Sequence, residues 1–242
     1  MSLLTLWKEA VWPHRVICLC CGRPSRGGHL CAACADALEK LRVAGPVCGA
    51  CGHPLEEGRC AFCDGRGTLT MRAAWVYRGE ARMLVRALKF ENIAVAAQVL
   101  AEGMADAARE LRPPPETVIT WPAMPESRRL ERGIDHGELL ATAVGERLGL
   151  PVKRMLTRSD QMAARTQVGM NSAERRTRLK GAFACKERLA GPVLLVDDVL
   201  TTAATATACA ECLLTAGATG VTVVTAAQTP RTGGREKRKG SA

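Results

Sequence analysis

Eight cysteines near the start of the chain stand as four Cys-x-x-Cys pairs: Cys18/Cys21, Cys31/Cys34, Cys48/Cys51 and Cys60/Cys63. Thiolates at this spacing can converge on one soft cation, and the glycines directly after Cys21 and Cys51 suit the tight turn of a metal knuckle. Zinc takes four such ligands in a tetrahedron, so the pairs supply two Zn2+ sites. Filled entirely by sulfur, both are closed and therefore structural. In chain order they form two consecutive ribbons, 18–34 and 48–63; an interleaved pairing is also open. A redox or buried-thiol role could explain one pair but explains four poorly. A segment this short and glycine-rich draws its folding energy from the metal. Cys20 competes with Cys21 as ligand, but the spacing favours Cys21. His29 and His53 read as bystanders because the cysteines complete the count. Cys185, Cys209 and Cys212 lie far off, and the last two fit a helical core.

The second constellation is VLLVDDVLTTAAT, residues 193–205. A buried strand ends, Asp197 and Asp198 follow, and a hydroxyl-rich turn leads into a helix. Ligands of open α/β sheets bind at the carboxyl ends of strands, where this acidic pair falls. Carboxylates accept hydrogen bonds from sugar hydroxyls. The turn Thr201, Thr202, Ala203, Ala204, Thr205 offers backbone N–H groups and hydroxyls to a phosphate dianion. Together they predict a ribose held by its acids and a 5′-phosphate held by the loop. Asp197 and Asp198 could instead cap the next helix, but one acid would suffice for that. Neither G-x-x-x-x-G-K-[ST] nor G-x-G-x-x-G is present.

These residues need elements to position them. WVY (75–77) reads as a short strand and Glu80 to Phe90 as a helix, with Ala81, Leu84, Val85 and Leu88 at helical spacing. An Ala-rich helix runs from about Ile93 to Leu111 and stops at Pro113–Pro115. TVITW (117–121) is a strand, 137–149 a helix and 152–156 a strand. The Arg-rich stretch 158–180 suits a mobile loop, and strand 192–196, helix 203–216 and strand 221–227 follow. Strands alternating with helices imply a parallel sheet with helices on both faces. The expected division is a short docking helix and double zinc ribbon over 1–67, an α/β domain over 68–229, and a basic disordered tail over 230–242.

The chain has 242 residues and a formal net charge of +10, from 34 Lys+Arg against 24 Asp+Glu. That excess fits a polyanionic ligand or partner about as well as a solubilising surface. Aromatics make up only 3%, so Ala, Leu, Val and Met must build the core. No apolar run reaches the length of about 18 residues that a membrane span requires. The unusual number of cysteines fits metal binding in a reducing compartment, and the expected location is the cytoplasm.

The signature at 193–205 resembles that of type I phosphoribosyltransferases. With the cysteine pairs, the whole chain resembles the ComF family, including its GntX-like members, in which a double zinc ribbon precedes such a domain. YRGEARMLVRALKF (77–90), TWPAMPESRRLERGIDHGELLA (120–141) and ARTQVGMNSAERRTRLKGAF (164–183) extend the match. The resemblance implies that Asp197 and Asp198 serve the ribose of phosphoribosyl pyrophosphate and residues 201–205 its 5′-phosphate. Pro122, Ala123 and Met124 would face the pyrophosphate with Arg128, Arg129 or Arg132 nearby, and Mg2+ would bridge ligand oxygens. It further implies a role in natural competence, with single-stranded DNA and a competence-machinery protein as partners. A metabolic transferase acting on a small acceptor is the alternative. The chain departs from the family where Ala203 replaces a glycine, and where Ile134, Asp135 and His136 replace Phe-Asn-Gln. Arg178 likewise stands in place of an asparagine.

Overall fold

The structure, a computed structural model, describes residues 16–25, 28–48, 51–55, 57–60, 69–158 and 181–230, except the side chain of Arg132. The expected docking helix, Cys63, residues 159–180 and the tail from 231 lie outside these ranges.

In the first ribbon, β1 (Val16–Ile17) pairs antiparallel with β2 (Pro24–Ser25). The turn after it repeats in the second ribbon. Cys18 N–H donates to Arg23 O and Gly22 N–H to Cys18 O, at 2.8 and 2.9 Å; Cys48 N–H donates to His53 O and Gly52 N–H to Cys48 O, at 2.7 and 2.8 Å. Both glycines have left-handed backbones, φ +69° and +70°, which is why glycine follows the second cysteine of each knuckle. A helix that the sequence reading did not anticipate, α1 (Ala32–Glu39), starts directly after Cys31 and buries Cys34 and Leu38.

The chain then runs along the edge of β3 (Thr70–Val76). Arg42 forms an antiparallel bridge with Trp75, Val43 N–H donates to Ala74 O at 3.0 Å, and Val76 N–H donates to Leu41 O at 2.8 Å. Beyond β3 come α2 (Gly79–Phe90), α3 (Val95–Glu110), β4 (Val118–Thr120), α4 (Glu126–Arg132) and α5 (His136–Leu148). Then follow β5 (Leu156–Arg158), β6 (Phe183–Cys185), β7 (Pro192–Leu200), α6 (Ala204–Thr215) and β8 (Gly220–Gln228).

Four of these strands form a parallel sheet in the order β3-β8-β7-β4. Alternation along β7 assigns its two faces. Leu194 and Val196 pack with α2, α3 and α5, while Val193 and Leu195 pack with α6 and the β5–β6 pair. Leu84, Leu88 and Leu100 are fully buried in the first layer, worth about 1.5–3 kcal/mol each. Alanines 96, 97, 101 and 108 bring α3 close, and Gly103 leaves room for the Trp75 ring, which a β-carbon there would overlap. A core poor in aromatics closes by bringing backbones together.

Two strand expectations are corrected. Of the 152–156 stretch, Val152 makes an isolated parallel bridge with Ile119, and the strand itself forms at β5, antiparallel to β6 and outside the main sheet. Arg154 lies between, drawn to Asp135 and Glu138 at 3.1 and 2.6 Å. The strand expected over 192–196 continues to Leu200, because its pairing with β8 persists as far as Leu200 opposite Gln228. The acids are therefore inside β7, not beyond it.

Candidate functional site

The sulfurs of Cys18, Cys21, Cys31 and Cys34 all lie within 4.8 Å of one another, as do those of Cys48, Cys51 and Cys60. The clusters thus follow chain order and leave the interleaved pairing aside. Cys21 and Cys31 are 3.7 Å apart and Cys51 and Cys60 3.5 Å. A tetrahedron with Zn–S bonds of about 2.3 Å has sulfurs about 3.8 Å apart, so the donor sets fit zinc. Arg23 Nε donates to Cys21 Sγ at 3.4 Å and lowers that thiol to about 6, while burial pushes Cys20 up to about 12. Cys20 instead approaches Glu80 O at 3.9 Å, outside the cluster. His53 is buried with Nδ1 3.1 Å from Cys51 O.

At the other constellation, strand geometry separates neighbours. Asp197 continues the face of Val193 and Leu195, toward Cys209 of α6, whose thiol is pushed up by burial and then by the Asp197 charge. Asp198 continues the face of Leu194 and Val196 and pairs with Lys89 in the last turn of α2, Nζ to Oδ2 2.7 Å. Asp198 N–H donates to Asp197 Oδ1 at 2.8 Å. Burial, and then the Asp198 charge, raise Asp197 to about 7, against the pull of Lys89. Both carboxylates remain half-buried.

Thr201 is exposed and Thr202, Ala203 and Thr205 half-exposed, while Ala204 is buried as the first residue of α6. Ala203 adopts φ +59°, so the chain takes the left-handed turn that a glycine would take without strain. The N-cap residue of α6, Ala203, has no side-chain group to cap it, and no side-chain cap bond is made there among the described residues. Its first-turn amides, with the macrodipole behind them, are suited to an anion.

Ala123 is buried and Pro122 and Met124 half-exposed on the turn from β4 to α4. Arg128 is exposed; Arg129 pairs with Glu126 in its own helix. Arg158 lies 5.4 Å from the Phe183 ring centre, and its buried Nε has no partner among the described residues. Burial, then Arg128, pull its affinity for a proton down. Asp135 caps α5 through Gly137 and Glu138 N–H, and also accepts from Trp121 Nε1 and Arg154. These four donors make it a structural anchor. His136 Nε2 lies 2.9 Å from Asn92 Oδ1.

The role of Lys89, the penultimate residue of the 77–90 segment, is not legible in the sequence. Its partner is distant in the chain, and only the packing of α2 on β7 brings them together.

Residues 7–65 match the family of double zinc ribbon domains. The chain is 30% identical over 219 residues to a DNA utilization protein, YhgH, of Salmonella typhi, covering 86% of this chain and 94% of that one. The counterpart in Salmonella typhimurium is 29% identical over 220 residues, with the same coverage. A double zinc ribbon joined to a parallel sheet flanked by helices defines the class. The chain belongs to the ComF-like family that includes these DNA utilization proteins. Among solved structures, glutamine phosphoribosylpyrophosphate amidotransferase from B. subtilis aligns at 21% identity and TM-score 0.38, over 55% of this chain and 26% of that larger one. Hypoxanthine phosphoribosyltransferase of Trypanosoma cruzi aligns at 17% and 0.33, over 58% and 75%.

Proposed function

We propose that the chain binds phosphoribosyl pyrophosphate, or another group ending in ribose 5-phosphate, and that it serves the handling of imported single-stranded DNA. One observation carries the first part. An acidic pair, a hydroxyl-bearing turn and an uncapped helix N-terminus follow one another within nine residues at the carboxyl end of a central strand. Asp197 and Asp198 would accept from the ribose hydroxyls, and Thr201 to Thr205 would donate to the 5′-phosphate. Arg128, Arg132 and the turn at Pro122–Met124 would meet the remaining phosphates. The name of the Salmonella relatives and the net charge of +10 support the DNA part, since phosphate contacts supply most non-specific affinity. The setting would be the cytoplasm, where thiols stay reduced, with a competence-machinery protein as a further partner. Among the described residues no helix is long and apolar enough to cross a membrane.

Calorimetry with phosphoribosyl pyrophosphate tests the first part. Heat of binding should disappear in the variant carrying both Asp197→Asn and Asp198→Asn; unchanged heat in that variant sinks the reading. Retention on immobilised single-stranded DNA over a salt series tests the second, and absence of retention at low salt removes it.

A further inference from the structure

The fold family brings magnesium to its sugar phosphate, and the residues here fit that ion poorly. Magnesium demands octahedral oxygen ligands at about 2.0–2.1 Å, most of them waters and ligand oxygens, with one or two carboxylates from the protein. Asp197 and Asp198 leave β7 toward different faces, and an oxygen of Asp197 is already bonded to the Asp198 amide. The Asp198 carboxylate holds an ammonium group at 2.7 Å. A divalent ion approaching that carboxylate would meet a cation already in place.

Lys89 is not a freely swinging surface lysine. Its side chain is 30% exposed and that of Asp198 22%. Leu84 and Leu88, both at 0% exposure, fix α2 against the sheet. The chain beyond α2 is tied down by the contact of Asn92 with His136. The C-terminal turn of a helix also favours a cation. An ammonium carries three donors, so the bond to Asp198 leaves two for a sugar hydroxyl or a phosphate oxygen beside it.

We propose that Lys89 is a built-in counter-cation of the ligand site, taking beside Asp198 the place that a divalent ion would otherwise fill. Ribose phosphates then bind this chain without magnesium. The inference rests on the ribose-phosphate reading above and adds to it the identity of the charge that accompanies the sugar.

The test uses the full-length, zinc-loaded protein in buffer freed of magnesium over resin, because a soluble chelator would strip the cysteine clusters. Calorimetry with ribose 5-phosphate and with phosphoribosyl pyrophosphate is run with and without millimolar magnesium on the native chain, Lys89→Met and Lys89→Arg. Melting temperature and zinc content establish that each variant is folded. The native chain and Lys89→Arg should change affinity less than about threefold on adding magnesium. Lys89→Met should lose about tenfold without magnesium and recover most of it with magnesium. Mn2+ titration followed by electron paramagnetic resonance gives a readout free of any sugar. Lys89→Met should gain a bound Mn2+ that the native chain lacks, and adding Asp198→Asn should abolish it. A native chain that requires magnesium, or Lys89→Met indistinguishable from native in both assays, overturns the proposal. If neither ligand binds in either buffer, the ribose-phosphate reading fails and the Mn2+ result alone decides the role of Lys89.

Discussion

In the first ribbon four sulfurs from two knuckles turn toward one another until all lie within 4.8 Å, and the left-handed turn at Gly22 is made by the residue that makes it most cheaply. At the end of β7 two adjacent carboxylates diverge to opposite faces, one of them raised to about 7 by burial, and the left-handed turn beyond is made by alanine. The ribbon site is completed by a metal and then stable. The end of β7, with its half-buried acid and a helix start that Ala203 cannot cap, keeps the unspent bonding capacity that the proposed ligand site would use. Sites that hold a scaffold together are built to be satisfied once, whereas sites that exchange ligands keep part of their bonding capacity unspent.

The contrast is testable at both ends, and the largest effect lies in the ribbon. Replacing Cys18 and Cys34 with serine should remove one zinc per chain by atomic absorption. Structural zinc can supply about 10–16 kcal/mol of apparent folding energy, so hydrogen exchange across α1 should rise sharply. Zinc retained at the native ratio breaks the comparison. Gly52→Ala comes next. Its β-carbon would lie 3.0 Å from Leu200 Cδ2 and 3.2 Å from Met71, at φ +70°. We expect a loss of about 2 kcal/mol in denaturant unfolding, from left-handed strain plus crowding.

Asp197→Asn should act in the opposite direction. A carboxyl raised from 3.8 to about 7 in the folded state binds more protons folded than unfolded across that window. Stability therefore falls as pH rises through it, and the cost is complete above about 7. The asparagine variant should be more stable than the native chain near pH 8 and unchanged near pH 4, in thermal melts at the two pH values. A gain equal at both pH values would mean that the acid is not strained. The smallest effect is Ala203→Gly. Relief of the left-handed alanine, less the entropy of a new glycine, leaves a gain of about 0.5 kcal/mol in chemical unfolding.

The cysteine spacing was enough to place the knuckles, since four thiolates at that separation have few other uses, and the helices over α2, α3, α5 and α6 follow apolar periodicity. Less legible was anything set by contacts distant in sequence. That β7 continues through Asp197 and Asp198 depends on β8, and this continuation sends the two acids to different faces. Lys89 reads as an ordinary last-turn lysine until α2 is packed on β7. Helix α1 is hidden in the sequence because its residues stand just after the ligand Cys31 and enclose Cys34, where ligand spacing masks helical spacing. The alanine at 203 is visible as a departure, but the sequence cannot tell which way its backbone turns; it is left-handed, at an energetic cost.

The run of Leu41 to Val43 beside Ala74 to Val76 has a consequence for any attempt to divide the chain. β3 is an outer strand of the sheet, and that run is what occupies its outward-facing amides and carbonyls. Cut away everything before residue 68, and a stretch of Ala, Trp and Val would offer bare hydrogen-bonding groups to any passing chain, the usual invitation to self-association. The metal-bearing segment thus also shields the edge of the larger domain, and a shortened form should be found in the pellet.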